Sequence, residues 1–155
     1  MVAVVKPNKI RFCIDIGDLK KEIQREHYPM MTMEEVVAGM PQAKVFSVLE
    51  ATSGYWQVKL DEACSKLCTF NTPCGRYRFT RLPFGINYAP EVFQHRMSEF
   101  FEDVEGLKAI VDNLLIWGKD DDEHDARLKQ VLNTASEVNL KFNAKKRRIT
   151  QEEVP

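Results

Sequence analysis

The stretch Ala109-Ile110-Val111-Asp112-Asn113-Leu114-Leu115-Ile116-Trp117 constrains the fold more than any other part of this chain. Apolar residues on both sides of one polar pair read as two short buried strands. Asp112-Asn113 splits them where a two-residue hairpin turn would sit, asparagine being a residue that tolerates positive φ. The pattern predicts a hairpin with a carboxylate at its tip. Taken alone, Asp-Asn is also ordinary turn chemistry, so its meaning depends on the rest of the sequence.

Elsewhere the signals alternate between strands and helices. Lys9 to Asp15 is a strand candidate, followed by a short helical turn, Leu19 to Gln24, capped by Asp18. Thr32 with Glu35 three residues on forms a capping box, so a helix should run to about Ala38 before Gly39 and Pro41 stop it. Val45 to Leu49 reads as a strand, and after the tight segment Glu50 to Gly54, Tyr55 to Leu60 leads into another. Lys66 to Asn71 and Tyr77 to Arg81 flank Thr72-Pro73-Cys74-Gly75, a hairpin signal. Pro90 suits the first position of a helix whose apolar stripe is Val92, Phe93, Met97, Phe100 and Phe101. Asp120-Asp121-Asp122-Glu123 places acids where the macrodipole favours them, at the start of a last helix with Leu128, Val131, Leu132 and Val138 as its buried face. Leu140 to Asn143 and Arg148 to Thr150 are short strand candidates. No repeat or low-complexity linker interrupts the 155 residues, so the expectation is one α+β unit with an antiparallel sheet packed on helices.

A formal net charge of −1 gives no global pull toward nucleic acid or a membrane, so a polyanion site must come from a local patch. No signal-peptide core and no apolar run of about 18 residues is present. Cys13, Cys64, Cys68 and Cys74 are few for a disulfide scaffold, and their spacing matches no paired zinc template even with His27, His95 or His124 added. The expected location is intracellular, cytoplasmic or nuclear, and not secreted. No membrane partner is expected.

Nucleotidyl transfer uses two divalent cations about 4 Å apart, held by carboxylates. Glu50, closing the strand that begins at Val45, and the Asp112-Asn113 tip are candidates for that work. A capped, solvent-facing Glu50 is the other reading.

Ordered blocks then carry a resemblance: Arg11-Phe12-Cys13-Ile14-Asp15, Arg25-Glu26-His27-Tyr28-Pro29, Ala43-Lys44-Val45-Phe46-Ser47, Ser53-Gly54-Tyr55-Trp56-Gln57, Gly75-Arg76-Tyr77-Arg78-Phe79, Arg81-Leu82-Pro83-Phe84-Gly85-Ile86, Ala89-Pro90-Glu91-Val92-Phe93-Gln94 and Trp117-Gly118-Lys119. From about Lys6 to Val154 the chain resembles the reverse transcriptase of gypsy-type LTR retrotransposons. The resemblance implies a right-hand polymerase palm with partial fingers: 1–44 and about 61–89 fingers-like, 45–60 and 90–155 palm. It implies RNA-directed DNA synthesis as the domain of a retroelement polyprotein. Leu49-Glu50-Ala51 stands where the family has Leu-Asp-Ala, and Ile110-Val111-Asp112-Asn113 stands for Tyr-Val-Asp-Asp. By the same matching Glu50, Asp112 and Asn113 hold Mg2+ or Mn2+, weakly if at all. Arg11 holds the triphosphate, Tyr55 is the gate against a ribose 2′-OH, Ala51, Phe84 and Gly85 line the nucleotide pocket, and Lys146 lies near the leaving pyrophosphate.

The departures imply impaired catalysis. Glu50 adds a methylene to a ligand whose tolerance is about 0.5 Å, Asn113 removes a negative charge, and Gly17 stands where the family has arginine. No thumb, RNase H, protease or integrase sequence is present. Expected partners are an RNA or DNA primer-template and dNTP, with a thumb or RNase H from another chain left open. The alternative is a decayed or domesticated non-catalytic module that binds nucleic acid or another partner with the same fold.

Overall fold

The computed structural model describes residues 1–6, 9–17, 21, 23–25, 27–40 and 42–153. In chain order the elements are β1 (Val2–Lys6), β2 (Lys9–Cys13), α1 (Met33–Ala38), β3 (Val45–Glu50), a 3-10 turn (Gly54–Gln57), α2 (Glu62–Leu67), β4 (Thr69–Thr72) and β5 (Gly75–Arg78). They continue with α3 (Ala89–Phe100), β6 (Leu107–Ile110), β7 (Asn113–Gly118), α4 (Asp121–Glu137) and β8 (Arg148–Gln151). The chain divides into two units, Met1–His27 with Ser53–Phe93, and Tyr28–Thr52 with Gln94–Pro155.

The second unit is built on a four-stranded antiparallel sheet in the order β6-β7-β3-β8. Both faces are covered, which is why Leu114, Leu115 and Ile116 are consecutive and all buried. On one face Val36 and Met40, on and just after α1, pack with Phe46 and Leu115. On the other, α4 brings His124 against Ser47. The capping box holds as expected: Thr32 Oγ1 accepts from the Glu35 amide and Glu35 Oε2 accepts from the Thr32 amide. Asp120 caps α4 by accepting from the Glu123 amide at 2.9 Å.

The first unit holds two hairpins, β1-β2 and β4-β5, whose strands pair antiparallel. A bidentate clasp joins Arg25 to the first turn of α3, with Arg25 Nη2 2.6 Å from Glu91 Oε1 and Nε 3.1 Å from Oε2. Among the described residues no helix is long and apolar enough to cross a membrane.

Several local expectations shift. The predicted hairpin forms, but its two turn residues are Val111 and Asp112, and Asn113 is already the first residue of β7. Tyr55 to Gln57 coil into the 3-10 turn rather than leading into a strand. Lys66 and Leu67 end a helix capped by Asp61, so the hairpin strand begins only at Thr69. Leu140 to Asn143 forms no strand, only a bridge from Phe142 to Ala51. Along α4 and its C-cap, Val131 is buried as expected and Leu128 and Val138 are half-buried, but Leu132 is 46% exposed, and His124 and Ala135 complete the buried face. The turn expected after Asp18 falls largely outside the described residues.

Candidate functional site

In the second unit, β3 ends at Glu50, whose register partner is Asn113 at the start of β7. The Ala51 amide donates to the Asp112 carbonyl at 2.7 Å, so the chain leaving β3 is tied to the hairpin turn. Residues 141–146 wrap the same strand end: Thr52 N–H donates to Lys141 C=O (2.9 Å) and Asn143 N–H to Glu50 C=O (2.8 Å). The Asn143 side chain then accepts from the Lys145 amide at 3.1 Å and folds the following turn. That turn delivers Lys146, whose Nζ donates to Glu50 Oε1 at 2.7 Å. Glu50, Ala51, Asp112, Asn113 and Lys146 are therefore brought together. Glu50, Asn113, Val48 and residues 145–148 line a pocket of about 570 Å³.

Two supports of this site, Ser47 and Gln94, lie in the ordered blocks that carry the resemblance, but the sequence assigned neither side chain a role. Gln94 is buried, and its amide bridges the hairpin: Nε2 donates to Ala109 C=O and Oε1 accepts from Val111 N–H, both at 2.6 Å. Ser47, on the strand that ends in Glu50, is 0% exposed, as is His124. The Thr150 amide donates to Ser47 Oγ at 3.1 Å, Ser47 Oγ lies 2.8 Å from His124 Nε2, and His124 Nδ1 lies 3.0 Å from Asp125 Oδ1. An ionised carboxylate only accepts, so in the neutral ring Nδ1 carries the proton and Nε2 accepts from the serine hydroxyl. A Cβ on Gly118 would stand 2.6 Å from the His124 nitrogen, so glycine there lets the first turn of α4 reach the sheet. Buried pairing between a distant serine and histidine leaves no periodic signal in a sequence.

In the first unit, Phe84 is the centre of a second group. The Arg11 guanidinium lies 5.3 Å from its ring centroid, and the rings of Tyr55 and Trp56 lie 5.3 and 5.8 Å away. The Phe84 carbonyl accepts from the Ile14 amide at 2.7 Å. Gly85 has φ +106°, and a Cβ there would meet the Ile14 carbonyl, so only glycine allows this approach. Arg11 Nε is buried without a hydrogen-bond partner among the described residues, a donor suited to an anion. Arg11, Tyr55, Phe84 and Gly85 thus form one cluster.

An antiparallel sheet with helices on both faces and a carboxylate-bearing hairpin beside a central strand end is the architecture of a polymerase palm. Structures of the foamy viral protease-reverse transcriptase share it. The one in complex with ds DNA superposes with a TM-score of 0.82 at 20% identity, over 98% of this chain and 27% of that one. The one in complex with RNA/DNA hybrid gives 0.82 at 19%, over 95% and 20%. The family described as Reverse transcriptase (RNA-dependent DNA polymerase) matches residues 4–155, and the chain belongs to it. It is 34% identical over 140 residues to the retrovirus-related Pol polyprotein from transposon 412 of Drosophila melanogaster, and 30% identical over 150 residues to that from transposon gypsy. These alignments cover 89% and 96% of this chain but 11% and 14% of the relatives. The chain is a reverse-transcriptase domain of the retroelement polyprotein kind.

Reverse transcriptases generally use divalent metals. Glu50, Asp112 and Asn113 are oxygen donors of the hard kind such ions take. As they stand they do not fit a metal pair. The Glu50 carboxylate is engaged by an ammonium, four cations line the adjoining pocket, and no three His, Cys, Asp or Glu among the described residues are gathered to hold a metal ion.

Proposed function

We propose that this domain handles primer end and nucleotide for RNA-templated DNA synthesis, with catalysis reduced or lost. The observation that carries the reading is the β3-β7 register, which sets Glu50 beside Asn113 with Asp112 in the adjoining turn. Glu50, Asp112 and Asn113 are the candidate cation ligands, and any Mg2+ or Mn2+ there is held weakly because it must displace Lys146. Lys146 is the candidate group near the leaving pyrophosphate, and in this arrangement it is spent on Glu50. In the first unit, the unsatisfied Nε of Arg11 supports a triphosphate contact. Tyr55 against Phe84 supports a ribose gate, and Gly85 supports a pocket wall with no side chain. Ala51 is the candidate wall residue of the second unit. The partners are an RNA or DNA primer-template and dNTP, consistent with the nucleic-acid complexes named for the structural neighbours. Four free thiols support an intracellular location.

The test is primer extension on a homopolymeric RNA template with Mg2+ or Mn2+, comparing the chain with the double variant Glu50→Asp, Asn113→Asp. The chain should give extension at or near background and the variant roughly tenfold more or better, a barrier lowered by about 1.4 kcal/mol. Full activity without the changes, or no gain with them, overturns the ligand reading. The same ion pair favours a second reading, a non-catalytic nucleic-acid-binding module, which predicts primer-template binding with no extension from either protein.

A further inference from the structure

Lys145, Lys146, Arg147 and Arg148 are consecutive and all exposed. They do not simply project into solvent: with Glu50 and Asn113 they line one pocket of about 570 Å³. Four cations there face one carboxylate, and that carboxylate is already matched, since Lys146 Nζ lies 2.7 Å from Glu50 Oε1. Among the described residues Lys145, Arg147 and Arg148 make no ion pair. The acid that would repel an incoming anion is thus neutralised from within the chain. What remains is a concave surface with three uncompensated cations, two of them guanidinium forks shaped for phosphate oxygens, and the Asn113 amide beside them.

Resting on the reading of Glu50, Asn113 and Lys146 as the reactive end of the domain, we propose that this pocket binds a linear polyphosphate without a divalent cation. Lys145, Arg147 and Arg148 supply the positive charge that a metal would otherwise bring. The ligand class is the phosphate chain itself, whether free or as the tail of a nucleoside triphosphate. Binding is electrostatic and solvent-screened, so it weakens as ionic strength rises.

Calorimetry on the full chain with sodium tripolyphosphate, and separately with a deoxynucleoside triphosphate, in EDTA and then in Mg2+, decides it. Binding in EDTA is expected, and added Mg2+ should weaken it, because the ion complexes the phosphate chain and lowers its charge. Arg147→Ala with Arg148→Ala should weaken binding tenfold or more at unchanged thermal melting. Glu50→Gln should strengthen it several-fold by releasing Lys146. Tripolyphosphate binding at least as tight as the nucleotide assigns the pocket to the phosphate chain alone. Tighter nucleotide binding in EDTA, still lost in the double arginine variant, assigns it to a nucleotide tail. Binding that requires Mg2+, no binding of either probe in EDTA, or indifference to the double variant overturns the proposal. Mg2+-dependent binding would do so while leaving the polymerase reading intact. Failure of the repaired variant to extend a primer would sink that reading and leave the polyphosphate site standing.

Discussion

Val111 is a β-branched residue at φ 51, in the left-handed region that such side chains avoid. Strain of that kind costs on the order of 1–3 kcal/mol and persists only where neighbours over-determine the backbone. Here the neighbour is Gln94, whose buried amide holds Val111 N–H and Ala109 C=O at 2.6 Å each. Val111→Gly should therefore raise stability by about 1 kcal/mol in chemical denaturation, because glycine takes that φ freely. A loss would mean that the valine side chain contributes more by packing than the backbone loses. The hairpin was legible from the apolar run because two buried strands need a polar break. Its exact turn was not, since the pair that looked most turn-like, Asp112-Asn113, gave way to a register fixed by Gln94, a helix residue distant in the chain. Glu50 and Asp112 were candidates from the residues themselves, one as a strand-end acid and one as a hairpin-tip acid, and the family match added the motif that pairs them. Gln94, Ser47 and His124 act through geometry that no spacing rule encodes.

At the scale of elements, α3 begins with Ala89-Pro90-Glu91, and the first turn carries an acid that serves more than the helix dipole. Glu91 forms the bidentate clasp with Arg25, and the guanidinium's hydrogen bonds hold its carboxyl below the usual range while Arg25 is raised in turn. The carboxyl binds its proton less tightly when folded than when unfolded. The clasp thus stabilises fully above the ordinary glutamate range of about 4.3 and is lost as pH falls through the depressed value. Thermal melts across that acid range should fall more steeply for the natural chain than for Glu91→Gln. Parallel curves would show that the clasp contributes nothing to acid sensitivity. The long amphipathic helices α3 and α4 and the capping box of α1 were readable because caps and period-3.6 patterns are local. The six-residue α2 and the 3-10 turn at Tyr55 were not. Segments that short have too few repeats to show a period, and tertiary contacts, such as Ser65 Oγ donating to Phe79 C=O at 2.7 Å, decide them.

Across the whole molecule stability is unevenly spread, and β8 marks the low end of the second unit. Its residues are all exposed, among the described residues it pairs with β3 only, and the register shifts between Phe46 and Val48. Beside that ladder, the buried Ser47-His124 pair adds a tie, Ser47 Oγ accepting from the Thr150 amide. Ser47→Ala should speed hydrogen exchange at Thr150 by about fivefold, one hydrogen bond of about 1 kcal/mol, while amides in β7 change less. Equal loosening of β7 would mean that the serine supports the sheet as a whole. The chain divides into two units with the boundary crossed three times, and the family resemblance implies an interleaved division of its own, 1–44 and about 61–89 against 45–60 and 90–155. Composition cannot reveal such interleaving, because both units draw on the same residue types. The sheet order also has a temporal side. β3 is central, yet its partners β7 and β8 follow it in the chain, and Lys146 comes 96 residues after Glu50. At translation rates of about 5–20 residues per second, β3 waits roughly 5 to 20 s for its last neighbour. Throughout that interval the nascent chain carries an apolar strand with open edges, and so presents chaperones with a recognisable client before the site it will hold exists.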